Sequence, residues 1–273
     1  MRRAGIIRFA KYIRAFFLKE PAYLPPSGHD TGDLFIFIRS WNRPLYLWAC
    51  LDSVYKSVKT KVKIVLIDNA STDPLVKQVI KGFERRGMFY AVHHMDTNHG
   101  DNQQQLFNQY QAQMGKYFLL MDADIIIQPS PDCWVLTMVD IMERRPDLSL
   151  LGSCLDKSDF VSYDCARDLE PNASKAHLNN LIKMNSPERD DIVKNAEVIF
   201  PFKPAGRLLL AKTSAIRDVG LPIGNHVLCK ALKDKGYDYG ITTRVVHRHL
   251  SLLNIYDYPD YDFEQLNKYL TKL

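Results

Sequence analysis

Two aspartates separated by one residue interrupt a long apolar run in the middle of the chain. Asp122 and Asp124 follow the apolar residues 117–121, and the run resumes over residues 125–127. The whole stretch predicts a single strand, buried on both faces, that brings both carboxylates to an edge of a sheet. Side chains two residues apart on a strand point the same way, so the two carboxylates are expected to lie side by side.

Two carboxylates at this spacing can bind a metal ion. They repel each other unless a cation lies between them, and oxygen ligands favour a hard divalent ion. We therefore predict that Asp122 and Asp124 hold Mn²⁺ or Mg²⁺. The alternative is a polar strand end whose carboxylates are simply solvated, which is the commoner meaning of an isolated Asp-x-Asp. The polar turns elsewhere in the chain favour the metal site.

Polar turns also follow the earlier predicted strands. Residues 34–38 predict a buried strand that runs into polar residues 39–43, and Pro44 suits the first turn of a helix. Asn42 is a candidate cap for that helix. The same sequence of strand, polar turn and helix repeats over residues 63–80. Both turns are therefore expected at the same edge of one sheet.

The remaining predicted elements complete an α/β pattern. They are strands over 89–94, 149–155, 204–212 and 239–246, and helices over 133–144, over 213–219 closed by Gly220, and from 224 to a cap at Gly236. Residues 156–195 show weak periodicity and receive no assignment. Strands that alternate with helices predict a mostly parallel sheet flanked by helices, with ligands at the carboxyl ends of the strands.

The composition fits one large domain and excludes some function classes. With 273 residues, of which 46% are hydrophobic, the chain can bury a full core. The formal net charge of +5 is modest, and its excess lies in residues 1–20. No nucleic-acid-binding face is therefore expected.

Residues 1–20 predict a basic amphipathic helix. Ile6, Phe9 and Ile13 have helical spacing, and most of the basic residues fall elsewhere on the wheel. Such a helix fits an anionic membrane surface, which predicts peripheral membrane contact; the alternative is a helix that docks on the protein's own body. Residues 21–32 contain three prolines and predict a linker.

The cysteines and the hydropathy indicate a compartment. The five cysteines lack framework spacing, which is typical of free thiols in a reducing environment. No apolar run reaches the roughly 18 residues of a bilayer-spanning helix, and the N-terminus lacks a signal-peptide profile. We therefore expect a cytoplasmic protein at the inner face of the cytoplasmic membrane.

Four short motifs, taken in order, resemble those of a known enzyme family. They lie in residues 37–44 (FIRSWNRP), 66–73 (LIDNASTD), 98–100 (NHG) and 122–124 (DAD). Together they resemble the nucleotide-sugar glycosyltransferases of the GT-A fold, most closely family 2, over residues 34–251. The resemblance implies a Rossmann-like α/β fold, a nucleotide-sugar donor and a Mn²⁺ or Mg²⁺ cofactor.

The resemblance also implies roles for individual residues. Asp68 would accept a hydrogen bond from the imide N–H of uracil or its counterpart in another base; the alternative is a turn or helix-capping aspartate. Asp122 would lie near the ribose and the metal, and Asp124 would bind the cation that bridges the donor phosphates. The nucleotide-binding residues implied in this way are Ser40, Asn42, Arg43, Asp68, Asn98, Asp122 and Ala123.

A histidine after the last core strand often completes the metal shell in this family. His247 matches that position best, and His249 is the alternative. A lone histidine is more often structural than a ligand, but the local match favours ligation by His247. The three histidines His93, His94 and His99 lack such support and are expected to be structural or pocket-lining.

One position departs from the family pattern. An inverting transferase needs a carboxylate to take the proton of the acceptor hydroxyl, and relatives supply it where this chain has Asn225. His226 is then a candidate catalytic residue in addition to Asp124. Two alternatives stay open: retention of configuration, with the leaving phosphate taking the proton, or an acid from the unassigned region. The candidate acids are Asp156, Asp159, Asp190 and Asp191.

The expected organisation divides one domain into two halves. Residues 33–129 would bind the donor and residues 130–251 the acceptor, while the tail, residues 252–273, receives no role. The expected function is metal-dependent transfer of a sugar from a UDP-sugar or related donor to a saccharide or lipid-linked acceptor, as in surface polysaccharide or glycolipid assembly. The rival is a non-catalytic module that binds a nucleotide sugar.

Overall fold

The computed structural model describes most of the chain between Asp33 and Leu250. The described residues are 33–156, 167–168, 171–176, 178, 196–200, 207–222 and 224–250. The predicted amphipathic helix, the linker and the C-terminal tail lie outside them, as do Asp159, Asp190 and Asp191.

Nine strands and six helices make up the described part of the chain. The strands are β1 (Phe35–Ser40), β2 (Lys63–Asp68), β3 (Ala91–His94), β4 (Tyr117–Asp122), β5 (Ile125–Ile127), β6 (Leu148–Leu155), β7 (Val198–Ile199), β8 (Leu208–Lys212) and β9 (Asp238–His249). The helices are α1 (Pro44–Ser57), α2 (Pro74–Glu84), α3 (Asp101–Tyr110), α4 (Trp134–Arg144), α5 (Thr213–Val219) and α6 (Asn225–Asp234).

All nine strands join one mixed sheet. Its order is β3-β2-β1-β4-β8-β6-β9-β5, and β7 pairs with β9. Strands β1 to β4 are parallel to one another, whereas β8 is antiparallel to both β4 and β6. The predicted α/β fold with a mostly parallel sheet is confirmed, and strands from both predicted halves lie side by side in it.

Helices cover both faces of the sheet because its central strands are apolar on both sides. On β1, Ile36 and Ile38 pack into the core beneath α1, α2 and α4. Phe35 and Phe37 point the opposite way and pack against α3, α5 and α6. This alternation follows from the two-residue repeat of a strand. It fixes the direction in which β1 delivers the polar residues at its end.

The prediction of one strand over residues 117–127 is wrong. Strand β4 ends at Asp122, and the chain turns at Ala123 and Asp124 before β5 begins. The reason is a change of partner: β4 pairs with β1 and β8, whereas β5 pairs with β9. The main chain at the turn is held on both sides, because Ala123 N–H donates to the Arg39 carbonyl and Leu250 N–H donates to that of Asp124.

The last strand is longer than predicted. We expected it to end at Val246, but β9 continues to His249 because Ile125 and Ile127 of β5 pair with His249 and His247. Other boundaries match the sequence: α5 begins at Thr213 and is closed by Gly220, as predicted. None of the helices in the described ranges has the length and apolar character needed to span a bilayer.

Candidate active site

A cleft opens at the carboxyl ends of β1, β2 and β4. It has a volume of about 320 Å³. Its walls come from the segments that follow β1 to β4, from the first turn of α1, and from Arg207, which precedes β8. The lining residues are Arg39, Ser40, Trp41, Asn42, Arg43, Tyr46, Leu47, Asn69, Asn98, Gly100, Asp122, Ala123, Asp124 and Arg207. In open α/β sheets this edge is the usual ligand site.

Asn42 joins two of the turns that form the cleft. Its side-chain carbonyl accepts hydrogen bonds from Thr72 N–H at 2.9 Å and Asp73 N–H at 3.1 Å, while its own N–H donates to Ser71 Oγ at 2.8 Å. The predicted capping role is therefore wrong, since Arg43 occupies the N-cap of α1 without a side-chain cap bond. The amide of Asn42 instead holds the turn after β2 against the turn after β1.

Asp122 is held between two arginines. Arg39 Nη2 lies 2.8 Å from Asp122 Oδ1, and Arg207 Nη1 lies 3.2 Å from Asp122 Oδ2. Arg39 is the fifth residue of β1, whereas Arg207 directly precedes β8. Because β4 lies between β1 and β8 in the sheet, the two guanidinium groups reach the end of β4 from opposite sides.

Asp124 has a histidine and two more distant arginines as neighbours. His249 Nε2 lies 3.2 Å from Asp124 Oδ2, and Arg43 and Arg207 each place a nitrogen 3.7 Å from the same oxygen. Burial alone would raise the pKa of Asp124, but the hydrogen bond and charge of His249, with the charges of Arg207 and Arg43, outweigh it and hold that pKa well below its usual range. Asp124 is therefore ionised at neutral pH.

One oxygen of Asp124 is suited to a ligand that the chain does not supply. Asp124 Oδ1 is buried and has no hydrogen-bond partner among the described residues. A buried carboxylate oxygen without a partner is costly, and it signals an absent donor or cation. Asp124 thus offers a carboxylate oxygen, and His249 Nε2 would join it as a ligand in its deprotonated form, with the cation replacing the hydrogen bond to Asp124 Oδ2. The described residues contain no cluster of three or more side chains that could ligate a metal.

The structure brings His249, and not His247, to Asp124. His247 is buried, and its Nδ1 lies 2.7 Å from Ser153 Oγ on the neighbouring strand. The sequence favoured His247 because β9 was predicted to end at Val246. Since β9 runs three residues further, the alternative His249 occupies the position next to the turn between β4 and β5.

The sequence of this chain matches a known family of enzymes. Residues 35–187, more than half of the chain, match the family model described as Glycosyl transferase family 2. The chain belongs to glycosyl transferase family 2. The family assignment predicted from the four motifs is therefore confirmed, and so is the class of enzyme. No curated protein matches the sequence.

Solved structures with the same fold include three glycosyltransferases. One is the mannosyltransferase PcManGT from Pyrobaculum calidifontis with GDP-Man and Mn²⁺, with a TM-score of 0.52, 16% identity, and coverage of 89% of this chain and 64% of that one. Another is glucosyl-3-phosphoglycerate synthase from Mycobacterium tuberculosis with Mn²⁺, UDP-glucose and phosphoglyceric acid, with a TM-score of 0.50, 14% identity, and coverage of 90% and 81%. The third, GalNAc-T7 with UDP, GalNAc and Mn²⁺, has a TM-score of 0.53, 13% identity, and coverage of 81% and 44%.

These likenesses establish the fold of the family 2 chain. The prediction of a GT-A fold is confirmed, because all three structures are glycosyltransferases that share it. Each of the three is only 13–16% identical to this chain in sequence. The chain spans less than two thirds of the mannosyltransferase and less than half of the GalNAc-T7 chain.

Most of the residues that the family pattern assigned to the nucleotide do line the cleft. Six of the seven are in its walls: Ser40, Asn42, Arg43, Asn98, Asp122 and Ala123. Asn69, which sequence reasoning passed over, joins them and accepts a hydrogen bond of 3.0 Å from the Asn102 amide. The cleft of this family 2 chain therefore gathers side chains from the ends of four strands, β1 to β4, and the segments that follow them.

Asp68 is the exception among the predicted nucleotide-binding residues. It is 4% exposed and does not line the cleft. Its Oδ1 accepts a hydrogen bond from Ser71 N–H at 3.2 Å, and its Oδ2 lies 2.9 Å from His94 Nδ1. The contact of Oδ1 with Ser71 is that of a turn aspartate, which was the alternative prediction for Asp68. Its other oxygen, Oδ2, pairs with His94.

The candidate catalytic base lies outside the cleft walls. His226 is exposed in the first turn of α6, next to Asn225, and neither residue lines the cleft. Asp156 follows β6, where its N–H donates to the His247 carbonyl and its carboxylate accepts a hydrogen bond from Gln128. Asp156 also does not contribute to the cleft. Within the described residues, Asp122 and Asp124 are the only carboxylates in the cleft walls.

Sequence reasoning missed two arginines of the site. Arg39 and Arg207 both contact Asp122, and Arg207 also approaches Asp124. Arg39 is the first residue of the predicted polar turn after β1, which is a local signal that could have placed it. Arg207 is 85 residues from Asp122 and gives no such signal, since only the antiparallel pairing of β8 with β4 brings it near.

Proposed function

We propose that this family 2 chain is a metal-dependent glycosyltransferase. It moves a sugar from a nucleoside diphosphate donor, a UDP-sugar, to a saccharide or lipid-linked acceptor. The observation that carries the proposal is the polar cluster at the strand ends, where Asp124 pairs with His249 and Asp122 lies between two arginines. The cluster has the charges needed to bind a cation and a diphosphate together.

A divalent cation, Mn²⁺ or Mg²⁺, fits beside Asp124 and His249. The unpartnered buried oxygen of Asp124 and the imidazole nitrogen of His249 are ligands that such an ion accepts, and Asp122 is two residues away. The similar solved transferases contain Mn²⁺ with their nucleotides, which supports this choice. When bound, the ion neutralises charge that develops on the leaving diphosphate.

The arginines would hold the diphosphate of the donor. Arg39, Arg43 and Arg207 line the cleft and outnumber its two carboxylates. Guanidinium groups bind phosphate oxygens through paired hydrogen bonds, and they keep their charge at any physiological pH. Negative charge grows on the phosphate as the bond to the sugar breaks, so these contacts strengthen in the transition state. That difference between the two states is what accelerates transfer.

Transfer also requires a group that takes the proton of the acceptor hydroxyl. His226 and Asp156 stay candidates for the group that takes the acceptor proton, and retention of configuration stays the alternative. A lipid-linked acceptor would bring the reaction to the inner face of the cytoplasmic membrane, with residues 1–20 as the peripheral contact. Assembly of a surface polysaccharide or glycolipid would fit these features.

A donor panel tests the proposed activity. Full-length protein with Mn²⁺ is incubated with UDP-, GDP- and dTDP-sugars, with and without saccharide and lipid-linked acceptors, and release of the nucleoside diphosphate is measured. We expect one UDP-sugar to be turned over, with Asp124→Asn inactive under the same conditions. Equal release by wild type and Asp124→Asn, or no release from any donor, would contradict the proposal.

A non-catalytic nucleotide-sugar-binding module is the second candidate. Asn225 stands where relatives place a carboxylate, and the described cleft walls contain no carboxylate beyond Asp122 and Asp124. Such a module would bind one nucleotide sugar tightly in the presence of Mn²⁺ but would release no diphosphate with any acceptor of the panel. Turnover by the wild-type protein would exclude it.

A further inference from the structure

A carboxylate and an imidazole form a pair at the β3 side of the cleft. Asp68 ends β2 and His94 ends β3, and the two residues are register partners in the parallel pairing of these strands. Asp68 Oδ2 lies 2.9 Å from His94 Nδ1. The residues that follow them reach the cleft, since Asn69, Asn98 and Gly100 line it. Neither member of the pair lines the cleft itself, but Asn69, which directly follows Asp68, does, so the pair adjoins the cleft wall.

The two members of this pair differ in their access to a ligand. The side chain of Asp68 is 5% exposed and that of His94 is 52% exposed. Both oxygens of Asp68 already have partners, because Ser71 N–H donates to Oδ1. A nucleobase that approached this side of the cleft would meet the His94 ring first, with the Asp68 carboxylate behind it.

The hydrogen bond to Asp68 fixes what His94 offers to a ligand. In the neutral ring, Nδ1–H donates to the carboxylate, so the lone pair is on Nε2. Nε2 then accepts a hydrogen bond from a ring N–H and gains nothing from a ring nitrogen that is itself an acceptor. Uracil has such an N–H at N3, whereas cytosine has a lone pair there.

We propose that His94, oriented by Asp68, reads the base of the donor by accepting the N3–H of uracil. The inference rests on the proposed function, because it assigns a specificity residue to the same nucleotide site. It differs from the direct contact that the family pattern implied for Asp68. The buried aspartate acts through the imidazole as a positioning residue, and His94 makes the contact.

Calorimetry with three nucleotides tests the assignment. Full-length protein with Mn²⁺ is titrated with UDP, with N3-methyl-UDP, which lacks the N–H, and with CDP. Loss of one hydrogen bond to a positioned acceptor changes the affinity by about tenfold. Wild type is therefore expected to bind UDP about tenfold more tightly than N3-methyl-UDP or CDP. His94→Ala is expected to bind all three within about twofold of one another.

Three further variants make the result specific. His94→Gln keeps an acceptor oxygen and is expected to recover part of the preference for UDP. His93→Ala is the matched control, because His93 Nε2 bonds the Tyr110 hydroxyl at 2.8 Å and does not contact Asp68, so its preference should equal that of wild type. Asp68→Asn weakens the orientation of the ring, and we expect an intermediate preference.

A direct measurement avoids reliance on the variants. The ¹⁵N resonance of His94 Nε2, followed by NMR, should shift towards a hydrogen-bonded acceptor when UDP binds and should not do so with N3-methyl-UDP. Retention of the full preference for UDP in His94→Ala, or an unchanged Nε2 resonance with UDP, would overturn this inference while leaving the transferase proposal intact. Failure to bind any of the three nucleotides would overturn both.

Discussion

His249 Nε2 lies 3.2 Å from Asp124 Oδ2, although the two residues are 125 positions apart in the chain. The contact exists because β5, which follows Asp124 directly, pairs antiparallel with the end of β9. It leaves Asp124 Oδ1 buried and without a partner among the described residues. The pair is therefore the centre of the proposed metal site.

Replacement of Asp124 by asparagine should remove metal-dependent binding of the nucleotide. The change keeps the shape of the side chain but removes its charge. Loss of a residue that only supports a metal ligand already lowers metal affinity about tenfold, so the affinity for UDP with Mn²⁺ should fall by more than that. Calorimetry measures it. Asp234→Asn is the matched control, since Asp234 is exposed on α6 and pairs only with Lys230 among the described residues; it should bind like wild type.

We predict that His249 is a metal ligand and that His247 is a structural residue. His249→Ala should weaken Mn²⁺-dependent binding of UDP, because it removes the imidazole beside Asp124. His247→Ala should leave that binding within about twofold and instead lower the free energy of unfolding by roughly 1–3 kcal/mol, since Ser153 loses its buried partner. The reverse pattern in titration and chemical denaturation would restore the prediction from sequence.

Arg207→Ala should weaken donor binding through the diphosphate. The variant removes one of three guanidinium groups from the cleft and also one partner of Asp122. We expect the KM for the donor to rise by about tenfold, with the affinity for free Mn²⁺ unchanged or increased as Asp122 loses a competing cation. Steady-state kinetics and Mn²⁺ titration give both numbers. Arg217→Ala is the control, because Arg217 is exposed on α5, donates to the Gln111 carbonyl and does not line the cleft, so neither value should change.

The low pKa of Asp124 makes its contribution to stability depend on pH. A carboxylate whose folded-state pKa is depressed stabilises the protein above its unfolded-state value and loses that effect as the pH falls through the folded-state value. The free energy of unfolding of wild type minus that of Asp124→Asn should therefore be largest near neutral pH and shrink below about pH 4. A difference that grows on acidification would mean that burial dominates and that the pKa of Asp124 is raised.

Asn42→Ala should loosen both turns of the cleft. The amide of Asn42 accepts from Thr72 and Asp73, and its backbone has φ of 50°. Loss of the hydrogen bonds and alanine's poorer fit to a left-handed conformation should cost about 1–3 kcal/mol of unfolding free energy. Asn42→Asp, which keeps the acceptor, should cost less. Equal thermal and chemical stability of Asn42→Ala and wild type would contradict the role of Asn42 in holding the two turns together.

Elements whose limits depend on neighbouring residues, such as a strand followed by a turn and a helix, could be predicted from the sequence. Thr213 and Gly220 mark the observed limits of α5, and the polar turns after β1 and β2 do form one edge of the cleft. These features depend on neighbouring residues, because periodicity and caps are local. Asp122 and Asp124 were found for the same reason.

Features that depend on distant pairing could not be predicted from the sequence. The turn at Asp124 and the extension of β9 to His249 have one cause. After β4 the chain leaves the centre of the sheet, and the next strand, β5, pairs with β9. A continuous apolar run contains no signal of that change. The contact of Arg207 with Asp122 likewise depends on the position of β8 beside β4, and burial of Asp68 behind His94 depends on the register of β2 and β3.

Titration of the wild-type protein with UDP, in Mn²⁺ and again after EDTA treatment, tests the central claim most directly. The claim is that Asp124 and His249 hold a divalent cation against the diphosphate of the nucleotide. Calorimetry should therefore show binding in Mn²⁺ that is lost in EDTA and restored when Mn²⁺ is added back. Equal affinity with and without the metal would contradict it.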